Sequence, residues 1–122
     1  MLKSVSLAAA AALVAASAAP AAHADPDACF TLRNISGTTV ANPRTVYVRA
    51  DGGHTYRIEF QSDCSGASSY SLVMHPTDNS GRVCKAIELD VHVRDTGESC
   101  IPSRISQLTP DEVAALPPKD KP

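Results

Sequence analysis

With 122 residues, 20% of them charged, and a formal net charge of −2, the chain has room for one small domain and no basic surplus with which to bind nucleic acid. A core of that size is marginal without covalent staples. Four cysteines (Cys29, Cys64, Cys84, Cys100) are available to supply them.

Residues 1–24 read as a signal peptide. Met1-Leu2-Lys3 is a short positive region, Leu7 to Ala19 is an uncharged Ala-rich run, and Ala22-His23-Ala24 offers small residues at the −3 and −1 positions of a cleavage site. The run is too short to span a bilayer, and no later stretch approaches 18 consecutive apolar residues, so no transmembrane segment is expected after cleavage. No cysteine lies near the cut to receive a lipid. The expected product starts at Asp25, is periplasmic or secreted, and carries 10 Lys+Arg against 13 Asp+Glu. In an oxidising compartment its four cysteines pair into two disulfides.

Residues 25–116 then read as a single β-rich domain. Cys29 to Ile35 alternates as a first strand, with Phe30 and Leu32 on one face, and Ser36-Gly37-Thr38-Thr39 breaks it. Asn42-Pro43 turns into the clearest hairpin, Thr45 to Phe60. Parity fixes its register. A two-residue turn would set its two apolar faces on opposite sides, whereas the three-residue loop Asp51-Gly52-Gly53 pairs Val48 with Tyr56 and Val46 with Ile58. The other face then carries Tyr47 opposite Arg57 and Thr45 opposite Glu59.

After a polar stretch holding Cys64, Tyr70 to Met74 forms a fourth strand, ended by His75-Pro76, and Thr77 to Arg82 is an exposed loop. Ile87 to Arg94 alternates cleanly, with Ile87, Leu89, Val91 and Val93 inward. Asp95 to Glu98 is a turn, and Ser103 to Leu108 is a weaker last strand. Thr109-Pro110-Asp111-Glu112 has the pattern of a capping box, so a short helix follows and stops by Leu116, before Pro117-Pro118. Residues 117–122 are expected to be a disordered tail. The fold class is mostly β: a small antiparallel sheet or partly closed barrel of about six strands, with a short C-terminal helix, stapled by disulfides.

Strand parity selects the connectivity. If six strands run alternately up and down, Cys29 and Cys84 fall at one end of the domain and Cys64 and Cys100 at the other. A disulfide needs Cα atoms within about 7 Å, which leaves Cys29–Cys84 and Cys64–Cys100.

Cys29-Phe30, Arg33-Asn34-Ile35, Arg44-Thr45-Val46-Tyr47-Val48, Tyr56-Arg57-Ile58 and the order of Cys64, Cys84 and Cys100 resemble an uncharacterised family of small exported proteobacterial proteins, known only as a domain of unknown function. The resemblance covers about Cys29 to Leu108. The chain departs from it at Asn42-Pro43, where members often carry an acidic pair, and at Gly66-Ala67, where they tend to carry a leucine. The resemblance implies a fold and an export route, and no activity.

The residues offer little chemistry. Serines 62, 65, 68 and 69 cluster without a strand–nucleophile–helix frame, Cys-x-x-Cys is absent, and no glycine-rich phosphate loop is present. The chain therefore reads as non-enzymatic and without a cofactor. Tyr47, Arg49, Arg57 and Glu59 form the candidate binding patch, an aromatic, basic and acidic surface for a small ligand or an envelope protein. The competing reading is internal, with Arg57 stacked on Tyr47 and paired with Glu59. Asp90 and His92 lie two apart on one strand face and are the metal candidates, against the blander reading of a solvated face. His54 and His75 could join them only if the fold brought them there. The function expected is an exported binding or structural module, the alternative a metal-binding envelope protein using Asp90 and His92.

Overall fold

Alternating apolar side chains fold residues 29–122, which the computed structural model describes, into eight strands. They are β1 (Phe30–Thr31), β2 (Gly37–Asn42), β3 (Thr45–Ala50), β4 (His54–Phe60), β5 (Leu72–Pro76), β6 (Arg82–Val83), β7 (Leu89–Val93) and β8 (Pro102–Gln107), followed by helix α1 (Pro110–Ala115). The signal-peptide reading falls outside the described residues. All pairings are antiparallel. They form a four-stranded sheet in the order β2-β3-β4-β8 and two ribbons, β1-β6 and β5-β7. The domain is mostly β and stapled, as expected, but the sheet does not close into a barrel.

The β3-β4 hairpin has the anticipated register, Val46↔Ile58, Val48↔Tyr56 and Tyr47↔Arg57. Its tip explains why. Asp51, Gly52 and Gly53 all take positive φ, at 49°, 86° and 100°, which only glycine and a few small polar residues adopt cheaply. The Asp51 carboxylate also accepts from the backbone N–H of Thr31 (2.9 Å) and from Asn34 Nδ2 (2.8 Å), tying the tip to the start of the domain. A Cβ at Gly53 would meet open space, so a substitution there is strained through the backbone alone. Gly53→Val is therefore expected to lose roughly 1–3 kcal/mol, read from urea denaturation. An unchanged midpoint would mean that the loop does not hold this conformation.

The core lies between the inner face of the four-stranded sheet and the two ribbons. Val46, Val48, Tyr56, Ile58, Phe60 and Ile105 meet Phe30, Val83, Leu89, Val91 and Val93, all buried. Phe30 packs against Tyr56 with ring centroids 4.8 Å apart and the planes tilted by 38°. The Tyr56 hydroxyl donates to the Cys29 carbonyl at 3.3 Å. Burial, reinforced by the Asp51 charge and opposed by Arg82, holds its proton more tightly than in a free tyrosine.

Several local expectations are corrected. The first strand is only Phe30–Thr31, because Leu32–Asn34 winds into a 3-10 turn closed by Ile35 N–H on the Leu32 carbonyl. Gly37–Asn42 is a full strand although Ser36-Gly37-Thr38-Thr39 was expected to break the chain, since Thr38 and Val40 find Val48 and Val46 across the ladder. Ile87 is not inward; it is 83% exposed. The Glu88 carboxylate accepts from Cys84 N–H at 2.8 Å and curls Ala86–Glu88 into a 3-10 turn, so inward alternation begins at Leu89. The helix has its full capping box: Thr109 accepts from Glu112 N–H and Glu112 accepts from Thr109 N–H. The tail expected to be disordered contains the 3-10 turn Pro118–Asp120 and lies against β2, where Thr39 Oγ1 donates to the Lys121 carbonyl (3.2 Å).

The disulfides are Cys29–Cys84 and Cys64–Cys100. The pairing is the one anticipated, but eight strands rather than six mean that end-to-end parity is not its cause. Cys29 and Cys84 sit one register step beyond Phe30↔Val83 and so face each other across the β1-β6 ribbon. Gln61 N–H on the Ile101 carbonyl (2.9 Å) lays the segment after β4 beside the segment before β8, bringing Cys64 to Cys100.

Candidate functional site

The anticipated patch lies on the sheet face opposite the core. Register places Thr39, Tyr47, Arg57 and Ser106 in one row across all four strands. That face is not open. Leu108 N–H bonds the Thr55 carbonyl at the β8 edge, and the chain reaches β2 at the other edge, where Thr39 holds Lys121. Gly37, in the next row, has room for no Cβ, because the Pro122 carbonyl carbon would lie 2.8 Å from it. The C-terminal segment thus crosses the outer face as a strap. Tyr47 is only 8% exposed, and Thr55 and Ser106 beside it are also buried.

Tyr47 is consequently not the flat exposed contact that the sequence suggested. The Arg57 guanidinium sits 5.8 Å from its ring centroid, a cation–π contact worth on the order of 1 kcal/mol. Arg57 does not pair with Glu59, which lies 3.7 Å from Arg104 instead. Arg49 is exposed, and its Nε donates to Ser36 Oγ at 3.2 Å. The fold brings Tyr47 and Arg57 together and commits Arg49 and Glu59 to other partners. Of the two readings, the internal one fits Tyr47 and Arg57.

Among the clefts that border this sheet, two lie beside exposed polar side chains. One, about 410 Å³, lies between Arg44 and Arg104. Its guanidinium groups are already engaged, Arg44 with the Gln61 carbonyl (2.6 Å) and Arg104 with Glu59. The other, about 500 Å³, runs along β2 and is lined by Ser36, Thr38, Thr39, Ser69, Tyr70 and Lys119, among others. Ser69 Oγ accepts from Val40 N–H (3.2 Å), which anchors the loop against the β2 edge and sets Tyr70 at the rim. Tyr70 is 91% exposed. An aromatic ring presented to water beside four hydroxyl groups can stack on a flat ligand while the hydroxyls donate and accept. Sequence reasoning placed Tyr70 inside a strand and its neighbouring serines in a featureless loop. The only local signal was an aromatic residue next to a run of small polar ones.

Asp90 and His92 project from the outer face of β7. His75 on β5 is the register partner of Asp90, and its ring lies 5.5 Å from that of His92, the planes 23° apart. His54 is elsewhere, its Nδ1 3.1 Å from Gln107 Nε2. Among the described residues, no group of three or more His, Cys, Asp or Glu side chains is already arranged to hold a metal ion.

No family model, no curated protein and no solved structure matches the chain.

Proposed function

We propose that the chain is an exported, non-enzymatic binding module, periplasmic or secreted, that holds a polyhydroxylated ligand of the saccharide class in the cleft beside Tyr70. The observation that carries this reading is the exposed Tyr70 ring at the rim of a hydroxyl-lined cleft. A pyranose presents an apolar C–H face that packs on such a ring, and a fringe of hydroxyls that the Thr38 hydroxyl is placed to meet, together with the lone pairs Ser36 and Thr39 keep beyond their bonds to Arg49 and Lys121. The cleft volume falls within the range of small-ligand sites, about 300–1,000 Å³. Export is supported by the pairing of all four cysteines, which is characteristic of an oxidising compartment, and by the signal-peptide pattern of residues 1–24.

The test is binding of the mature chain and of Tyr70→Ala to a panel of soluble polysaccharides and envelope glycan fragments, followed by calorimetry. Because Tyr70 is solvated, its removal should shift stability by less than about 0.5 kcal/mol. The expected result is at least a tenfold loss of glycan affinity with an unchanged melting temperature. Failure of the unaltered chain to bind any saccharide would sink the proposal. The second reading, a metal-binding envelope protein using Asp90 and His92, has its own observation: the fold adds His75 to that pair.

A further inference from the structure

We infer that His75 and His92 form a two-nitrogen surface chelate for a divalent late transition ion, Cu²⁺ foremost, with Asp90 as an accessory oxygen ligand. This inference is independent of the cleft beside Tyr70 and rests on the metal-binding reading, whose site it redefines around His75.

The geometry carries it. β5 and β7 are paired over five residues, so the relative placement of His75, Asp90 and His92 is set by a ladder rather than by a loop. His75 lies directly across from Asp90, and His92 is two residues along the same face of β7. A first-row ion bonds imidazole nitrogen at about 2.0–2.1 Å. Two imidazoles sharing one ion have centroids about 4.5 Å apart at the 90° angle of tetragonal Cu²⁺ and about 5 Å apart at a tetrahedral angle, so these rings, 5.5 Å apart, need to close by about 1 Å or less.

The rings are near parallel, at 23°, so chelation requires them to turn until one nitrogen from each points at a common centre. His75 is exposed and His92 is half-buried, so His75 makes the larger movement. Asp90 is exposed beside both and supplies the negative charge that offsets the incoming cation. Imidazole with an oxygen ligand suits Cu²⁺, Ni²⁺ and Zn²⁺, and among these the intrinsic order of affinity favours Cu²⁺. Water completes the coordination shell. With only two nitrogen ligands the affinity belongs in the micromolar range.

The experiment is calorimetric titration of the mature, disulfide-bonded chain with CuCl₂ and ZnCl₂, paired with nitrogen hyperfine counting by electron paramagnetic resonance on the copper form. His75→Ala, His92→Ala, Asp90→Asn and, as a control, His54→Ala are titrated alongside. One equivalent of Cu²⁺ with two imidazole nitrogens is expected, weakened tenfold or more by His75→Ala or His92→Ala. Asp90→Asn should weaken it a few-fold, and His54→Ala should leave it unchanged. All these side chains are at least partly solvent-exposed, and an unchanged melting temperature of each variant confirms that it folds.

Three results would overturn the inference. Binding that survives His75→Ala but is lost in His92→Ala and Asp90→Asn leaves a metal site of Asp90 and His92 without His75. Equal weakening by His54→Ala means scattered single-imidazole binding. No binding to the unaltered chain removes the metal reading altogether.

Discussion

Replacing both members of the Cys29–Cys84 pair with serine is expected to lower unfolding free energy by about 4 kcal/mol. The bridge spans 55 positions, and in the chain-entropy account the stabilisation grows with the logarithm of the loop it closes. A small domain has a total stability of about 5–15 kcal/mol, so toward the low end of that range this loss leaves a substantial unfolded fraction at 37 °C. The Cys64–Cys100 bridge spans 36, which by the same logarithm brings its value close to that of the first. The two loops overlap between Cys64 and Cys84, so removing both is not expected to give the simple sum. Urea denaturation followed by circular dichroism measures each loss, and a change below about 1 kcal/mol would show that the ladders alone hold the ends together. Non-reducing tryptic mapping checks the connectivity first, because cuts at Arg57, Arg82 and Arg94 help separate the four cysteines.

How far the sequence carries towards this fold depends on the range of the interaction that decides each feature. The β3-β4 register was readable because parity and Asp51-Gly52-Gly53 are neighbours along the chain. The Thr109–Glu112 capping box was readable for the same reason, its partners being three residues apart. Strand β2 was hidden because Ser36-Gly37 reads as a break and Asn42-Pro43 as a turn, leaving only a short run between them. Its β-branched Thr38, Thr39 and Val40 suit a strand, and the β3 ladder extends it through Asn42. Ile87 misled because its alternation with Leu89 is perfect, whereas the hydrogen bond from Cys84 to Glu88 overrides it.

The site was less legible, and for one reason. Whether a polar sheet face meets water depends on where the rest of the chain goes. Tyr47 alternates outward just as predicted, yet it is buried, on a face whose far edge the C-terminal segment reaches at Lys121, 74 positions on, through the Thr39–Lys121 bond. His75 became a neighbour of His92 only through the β5-β7 register, which places Pro76 opposite Leu89. Nothing local to the His75-Pro76 pair specifies that register; the sequence marks it only as the end of a strand.

Phe30→Ala should have the second large effect, a loss of roughly 3–5 kcal/mol. Phe30 is 0% exposed and lies where the β1-β6 ribbon meets the main sheet, against the Tyr56 ring. Truncation removes the transfer free energy of a buried ring and leaves a cavity, and Cys29–Cys84 on the adjacent position limits how far the ribbon can collapse to fill it. The second term suggests a sharper test. If the staple is what keeps the cavity open, Phe30→Ala should cost less in the chain lacking Cys29 and Cys84 than in the intact one. A double-mutant cycle from urea midpoints would then return a coupling between about 0.5 and 3 kcal/mol, the range for residues in contact. Strict additivity would show that Phe30 is held by the β1-β6 and Tyr56 contacts alone, and that the disulfide acts only on the unfolded chain.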